Sequence, residues 1–412
     1  MVGMQTIVFI GSNKSGTSRE ALITSTEMGY YTVLLTDRKK FIQQRDEFPE
    51  VQRMMFVENL FEESNVFSIV HDLEQEGKQI CAIISFIDPF VSYAGMLSQA
   101  WGFGRGNLSI EALSVIEDKN RFRSHLKGLP VSPRFSVIPF DEPIDKLIKE
   151  FEGSFPVILK SPVSNGSKDV LLVHTFNEMR EGFQLLKRRF PNQAVLMEEY
   201  LIGPQYLIEV MVVNGEISII AVIEQEILNG QRFIITGYQY PAILSMEENE
   251  TLEHAVISII RELELINGTC HLEMRNVNDQ WKLIEINPRM SGGAMNRIIQ
   301  EGTGMNLVKE TIKLFLGIEP NLEKSFMKFV YTKYLVVEAK GKLIKVTGKN
   351  RALKHEGIKE VFVKPKKGTV LREPQSMGDR YAYVIAVSDT EEGAKFAAIT
   401  AASEIKFYLE PL

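Results

Sequence analysis

The sequence predicts an α/β protein. It opens with a doubly wound parallel sheet, continues into a mixed central region and ends in a β-rich segment. Three observations predict this. Residues 5–105 alternate short apolar runs with helical patterns, the arrangement of strand–helix–strand units in a parallel sheet. Long strand patterns then follow at Tyr206–Val213, Ile217–Ile223 and Phe233–Tyr240. The last ninety or so residues change character again, with short strand patterns at Phe329–Glu338, Leu343–Val346, Val361–Val363 and Tyr381–Ala386.

In chain order, Thr6–Ile10 reads as a strand, Ser18–Met28 as a helix, Thr32–Thr36 and Met55–Val57 as strands and Ser64–Glu76 as a helix. Ile80–Ile87 is a strongly apolar strand pattern, and Pro89–Trp101 reads as a helix opened by a proline at its first turn. The first strand runs into Gly11-Ser12-Asn13-Lys14-Ser15-Gly16, which resembles a phosphate-gripping turn but is neither GxGxxG nor a P-loop. Asp37, ending the second strand, keeps a dinucleotide reading open; the alternative is a plain βαβ turn. Glu111–Leu126 reads as one helix, broken by Gly128-Leu129-Pro130. Phe155–Pro162 is a buried strand carrying Lys160, and the loop from Ser164 to Asp169 returns into the strand Val170–His174. A helix over Asn177–Arg189, the strand Ala194–Tyr200, a long helix over Glu247–Leu265 and shorter ones at Ala294–Gln300 and Asn306–Leu316 follow, and Glu391–Tyr408 reads as the final helix.

Bulk properties narrow the function. The 412 residues suffice for two or three domains with their own cores. A net charge of −6 argues against a nucleic-acid binder. Cys81 and Cys270 sit in apolar runs and read as buried thiols, not a disulfide framework. No segment reaches the roughly 18 apolar residues needed to span a bilayer, and the N-terminus shows no secretory pattern. The expectation is a cytoplasmic enzyme with no membrane partner.

The hairpin His271–Met274, Ile284–Asn287 carries the chemistry. Closing around Asp279 with a three-residue loop, it sets Glu273 opposite Glu285 and His271 opposite Asn287, with all four on one face. Leu272, Met274, Ile284 and Ile286 take the other face as core. Two carboxylates held about 4–5 Å apart at an effective dielectric near 20 repel by roughly 3–4 kcal/mol. Such a pair shares a proton or holds a cation; the alternative is a solvated sheet face.

Four elements in order resemble the ATP-grasp superfamily over roughly residues 1–317: Lys119 on a helix, Leu159-Lys160-Ser161-Pro162 ending a strand, Met197-Glu198-Glu199-Tyr200-Leu201-Ile202-Gly203 as a hinge, and Glu285-Ile286-Asn287-Pro288-Arg289. The last looks like the family's E-x-N-x-R motif, whereas Ser161 departs from the usual proline after the lysine. The resemblance implies a Rossmann-like pre-ATP-grasp domain at 1–110, an ATP-grasp domain at 111–318 with a mobile lid at about 130–201, and a C-terminal α+β domain at 319–412.

It also implies roles. Lys119 and Lys160 would hold the α- and β-phosphates of ATP, and the backbone of Ser164, Asn165, Gly166 and Ser167 would close over them. The hinge Glu198, Glu199, Tyr200 and Leu201 would present backbone to adenine, with Gln205 or Glu209 at the ribose. Glu273, Glu285 and Asn287 are hard oxygen ligands that suit Mg²⁺, two ions in all, with Mn²⁺ as a substitute. Arg289 would stabilise negative charge in an acyl-phosphate and a tetrahedral step. Gly292 and Gly293 would hold a substrate carboxylate at a helix start.

Within the superfamily, the Asn-Pro-Arg-Met-Ser-Gly-Gly segment and the C-terminal domain resemble the bacterial L-amino-acid α-ligases. That implies a dipeptide from a methionine- or leucine-type first residue and a small second one such as glycine, with release of ADP, and a homodimer. Pro89 is expected to border the first side-chain pocket, at the carboxyl end of a sheet strand. His271 either contacts the first substrate or supports Asn287. Competing readings are another ATP-grasp ligase of biotin-carboxylase type, a non-catalytic nucleotide-binding protein, and a nicotinamide oxidoreductase.

Overall fold

A computed structural model describes residues 3–142, 155–161, 169–228 and 233–412. The first sheet is parallel, in the order Arg53–Phe56, Tyr31–Thr36, Met4–Ile10, Lys78–Ile84. Alternating residues of its strands feed two cores, as a pleated strand requires. Ile7, Phe9 and Leu34 join Leu22 on one side; Val8, Ile10, Val33 and Leu35 join Val66, Val70 and Leu97 of two helices on the other. This is the doubly wound arrangement the alternation predicts.

Three boundaries differ from expectation. The apolar strand stops at Ile84 and the next helix begins at Val91, so Pro89 lies in the connecting loop, joined to Asp88 by a cis peptide bond. The helix expected over Glu111–Leu126 is two helices, Ile110–Glu117 and Lys119–His125. Asp118 causes the break: extended backbone lets its carboxylate accept from the N–H groups of Asn120 and Arg121, a side-chain cap that starts a new helix. The final helix stops at Ser403, and Lys406–Pro411 pairs as a strand with Gly341–Thr347.

Downstream, Phe135–Ile138, Val195–Glu199, Val157–Lys160 and Val170–Val173 form a four-stranded antiparallel sheet in that order. The helix Phe176–Arg189 covers it through Met179, Phe183 and Leu186. The largest sheet has eight strands, in the order Gln280–Asn287, Gly268–Val277, Gln205–Val213, Glu216–Ile227, Ile235–Tyr240, Phe329–Leu335, Ala382–Ser388, Ile358–Val363. Strands expected in the C-terminal domain therefore continue the sheet that carries the hairpin.

The hairpin register agrees with the expected pairs: His271 faces Asn287 and Glu273 faces Glu285. The route to that register is different. The loop has two residues, Asn278 and Asp279, both with positive φ, as a tight hairpin turn prefers. A two-residue loop alone would put Glu285 on the wrong face. A bulge between Leu283 and Glu285 adds back the missing residue, because Met274 pairs with Leu283 and Glu273 with Glu285. Ile284 is the extra residue and is only half-buried, so Leu283, fully buried, takes its expected place in the core.

The helix Met295–Thr303, just after the hairpin, is held against the sheet at Gly302, where an added Cβ would lie 2.4 Å from the buried Tyr240 ring. Helix propensity favours alanine there by up to about 1 kcal/mol. Overpacking opposes it by about 1–3 kcal/mol. Gly302→Ala is expected to lower the melting temperature; a rise would mean that the Tyr240 ring gives way freely.

Candidate active site

Glu285 and Asn287 of the hairpin's polar face line a cavity of about 280 Å³. Its walls come from four places: Asp88 and Pro89 of the first domain, Glu117 to Asn120 at the capped helix junction, Gln193 beside the four-stranded sheet, and Glu285 to Asn287 of the hairpin. Lys119, expected at the phosphates, places its Nζ 3.2 Å from Glu285 Oε1. Burial and the Glu285 charge push Glu273 up to about 7. Burial also raises Glu285, but Lys119 and Lys160 outweigh it and hold that carboxyl below its usual range. The opposed pair thus divides its repulsion, one acid poised near neutrality and the other ionised.

Lys160 is buried rather than solvated. Its Nζ lies 2.5 Å from Glu198 Oε2 and 3.4 Å from the Ile284 carbonyl, and burial pushes its pKa down. Glu198 also accepts from Arg123 Nε at 2.5 Å, and Arg123 Nη2 donates to the same Ile284 carbonyl at 2.7 Å. Burial raises Glu198, but Arg123 and Lys160 reverse the shift. The Glu198 side chain is therefore an ionic anchor inside the protein.

At the hinge, Arg275 donates to the Leu201 carbonyl and stands 5.5 Å from the Tyr200 ring centre, and Glu199 accepts from the Arg134 N–H at 2.8 Å. Gln205 is held by Arg275 at 3.1 Å and reaches Glu273 at 3.5 Å, so it links hinge to hairpin. Glu209 departs from expectation. It pairs with His271 in the sheet and accepts from the Ser291 N–H at 2.8 Å, so it lies under the loop after Arg289 and not at the hinge. The cause is its four-residue advance along the strand from Gln205. Ser164, Asn165, Gly166 and Ser167 lie outside the described residues.

His271 donates from Nδ1 to the Arg289 carbonyl at 2.8 Å, so its Nε2 accepts from Asn287 Nδ2 at 3.2 Å. Burial and Arg289 push its pKa down to about 4, which keeps the ring neutral in that role. With Nδ2 committed, Asn287 turns its Oδ1 away from the histidine. Two carboxylates and one amide oxygen suit a magnesium ion, which takes few protein ligands and completes its shell with water and phosphate oxygens. Among the described residues no group of three His, Cys, Asp or Glu side chains is set to hold a metal alone.

Arg289 is engaged by Asp88, whose Oδ2 accepts from Nε at 3.1 Å and from Nη2, and its Nη1 donates to the Met290 carbonyl at 3.1 Å. Gly293 has φ +70° and meets the first domain directly: a Cβ on Gly16 would lie 2.9 Å from the Gly293 nitrogen. Thr17 Oγ1 donates to the Ser291 carbonyl at 2.6 Å. The turn read as phosphate-gripping thus braces the glycine loop.

Comparison with known proteins gives this geometry a family. Residues 153–297 match the ATP-grasp domain, and residues 333–410 match the L-amino acid ligase C-terminal domain 2. The chain carries an ATP-grasp domain. An L-amino acid ligase from Bacillus licheniformis has the same fold, with a TM-score of 0.83 at 18% identity over 100% of both chains. An uncharacterized protein of Sinorhizobium fredii is 28% identical over 63% of this chain and 54% of its own. Dapdiamide A synthase from Enterobacter agglomerans is 22% identical over 57% of this chain and 58% of its own. The chain thus spans little more than half the length of these two curated relatives.

In this ATP-grasp chain three charged residues of the site went unassigned from sequence: Asp88, Arg123 and Arg275. Asp88 had a signal, since it stands directly before Pro89 at the end of a sheet strand. Arg123 and Arg275 had none, because their partners are distant in sequence.

Burial raises Glu209 to about 8, so its native form carries a proton at pH 7, when the unfolded chain has lost it. Stability from this group is full below about pH 4.5 and is lost as pH rises towards 8. Glu209→Gln keeps the acceptor for Ser291 without the charge. Thermal melts should show the wild type losing ground to the variant, by on the order of a few kcal/mol, between pH 5 and 8. A constant gap over that range would refute the buried neutral acid.

Proposed function

We propose that this protein is an ATP- and Mg²⁺-dependent ligase that joins two L-amino acids through an aminoacyl phosphate, releasing ADP and phosphate. The observation that carries it is one cavity in which Lys119 and the Glu285–Asn287 platform meet Asp88 and Pro89 of the first domain. A nucleotide site and an organic-substrate site share one wall there. The match of residues 333–410 to an L-amino acid ligase domain supports amino acids as the substrates.

Each residue then has work to do. Lys119 and Lys160 neutralise phosphate oxygens as point charges. Lys119, Lys160 and Arg123 face Glu198, Glu273 and Glu285, so the side chains bring almost no net charge to the nucleotide. The triphosphate's negative charge therefore calls for divalent ions at Glu273, Glu285 and Asn287, and two Mg²⁺ would balance it. Glu273, Glu285 and Asn287 would hold Mg²⁺, which would supply positive charge against that developing in phosphoryl transfer. The first amino acid's carboxylate attacks the γ-phosphorus and ADP leaves. The second amino acid's amine attacks the acyl carbon and phosphate leaves. Arg289 stabilises the oxyanion of that addition, and the Gly292–Gly293 loop holds a carboxylate by its N–H groups. Pro89 and Ile116 offer an apolar wall for a methionine- or leucine-type first side chain, with a small residue second. We place the enzyme in the cytoplasm, where ATP and free amino acids coexist; among the described residues no helix is long and apolar enough to cross a membrane.

Mixed L-amino acids with ATP and Mg²⁺ should yield dipeptides and ADP, read by product mass. AMP and pyrophosphate would sink the mechanism, and bicarbonate-dependent turnover would favour a carboxylase. Arg289→Ala should cut ligation by roughly 100–1,000-fold while nucleotide binding, read by titration, stays within about threefold. Equal loss of both would remove Arg289 from the chemical step.

A further inference from the structure

Two carboxylates line the cavity here, Asp88 in the loop between Ile84 and Val91 and Glu117 at the end of the helix Ile110–Glu117. Glu117 is fully committed: its oxygens accept from the Val91 and Ser92 N–H groups at 3.0 and 3.1 Å and from the Ser92 hydroxyl, capping the next helix. Asp88 is only half committed. Its Oδ2 takes Nε and Nη2 of Arg289, while its Oδ1 is buried and has no hydrogen-bond partner among the described residues. An ionised oxygen kept from water without a donor is costly, and such a group in a cavity wall signals a partner that arrives from outside.

The chemistry of that partner is constrained. It must donate hydrogen bonds to Asp88 Oδ1 while standing beside Arg289, a planar donor suited to carboxylates. An α-amino acid carries these two groups on one carbon: an ammonium with three donors and a carboxylate. The Arg289–Asp88 pair is the charge complement of that zwitterion. We propose that Asp88 reads the α-ammonium of the first amino acid, so that the loop preceding Pro89 selects α-amino acids over simple carboxylic acids. This rests on the amino-acid ligase reading and assigns a specificity-determining residue within it. The pairing also has a use before substrate arrives: with Asp88 holding Arg289, the group that would stabilise acyl transfer is occupied until a zwitterion can exchange for it.

The test compares L-methionine with 4-(methylthio)butanoate, the same acid without the ammonium, in ATP-dependent phosphate release by the full chain with glycine as acceptor. Wild type should favour methionine by on the order of 100-fold or more in kcat/KM. Asp88→Asn should shrink that preference to about tenfold or less, mainly through KM for methionine, and Asp88→Glu, which keeps the charge, should recover part of it. If Asp88→Asn slows both substrates alike and leaves the ratio unchanged, Asp88 only positions Arg289 and the proposal is overturned. A wild-type enzyme that uses both acids equally overturns it too, while leaving the ligase reading intact. Should Asp88→Asn fail to fold, the wild-type ratio and Asp88→Glu still decide. Release with neither acid, and with no other amino acid, would remove the ligase reading and this proposal together.

Discussion

The bulge at Ile284 is the constraint on which the site depends. A two-residue turn closes the hairpin tightly, and only an extra residue on the second strand returns Glu285 to the face of Glu273. The same irregularity turns the Ile284 carbonyl out of the ladder. Arg123 and Lys160 both donate to it, and both bind Glu198. One backbone defect therefore sets two carboxylates against each other and ties two cations beside them. The pair's repulsion is answered locally by Lys119. What is left over is a pocket of oxygen ligands whose flanking buried charges nearly cancel.

Much of this was legible in the sequence, and the part that was not has a common cause. Period-two alternation in the hairpin identifies which side chains share a face, and the pairs His271–Asn287 and Glu273–Glu285 follow from it. The bulge does not follow, because a three-residue loop and a two-residue loop with a bulge give the same pairs near the hairpin's open end. The exchange of Ile284 for Leu283 in the core is the trace of that ambiguity. Likewise the helix break at Asp118 carried a readable signal, an acidic cap before Lys119, which the strong apolar pattern of Glu111–Leu126 masked. The strand–helix alternation of the first domain, set by local periodicity, agrees with the structure, whose parallel sheet is covered on both faces.

Glu198 and Glu209 show the limit. Both read as polar positions near a hinge, and both turn out to be buried with their carboxylates committed to partners far away in sequence: Arg123 for one, Ser291 for the other. Nothing local distinguishes a carboxylate that greets a ligand from one that pins two elements together. Arg123 makes the point from the other side. It is fully buried and joins its own helix, the four-stranded sheet and the hairpin through a single guanidinium. A change in the position of Glu198 is thereby felt at the backbone of the hairpin.

The eight-stranded sheet carries a further consequence. Strand Ile235–Tyr240 is paired on its outer side by Phe329–Leu335, and that strand by Ala382–Ser388. The segment that matches the L-amino acid ligase domain is thus woven into the platform rather than appended to it. Cut away, it would leave a row of unpaired backbone donors and acceptors on an apolar strand, an open template for other chains. Gene fusion and truncation can shuffle modules joined by a flexible tether. Here heredity must treat the platform and its C-terminal strands as one indivisible unit, and a change of substrate has to come from loops such as the one bearing Asp88.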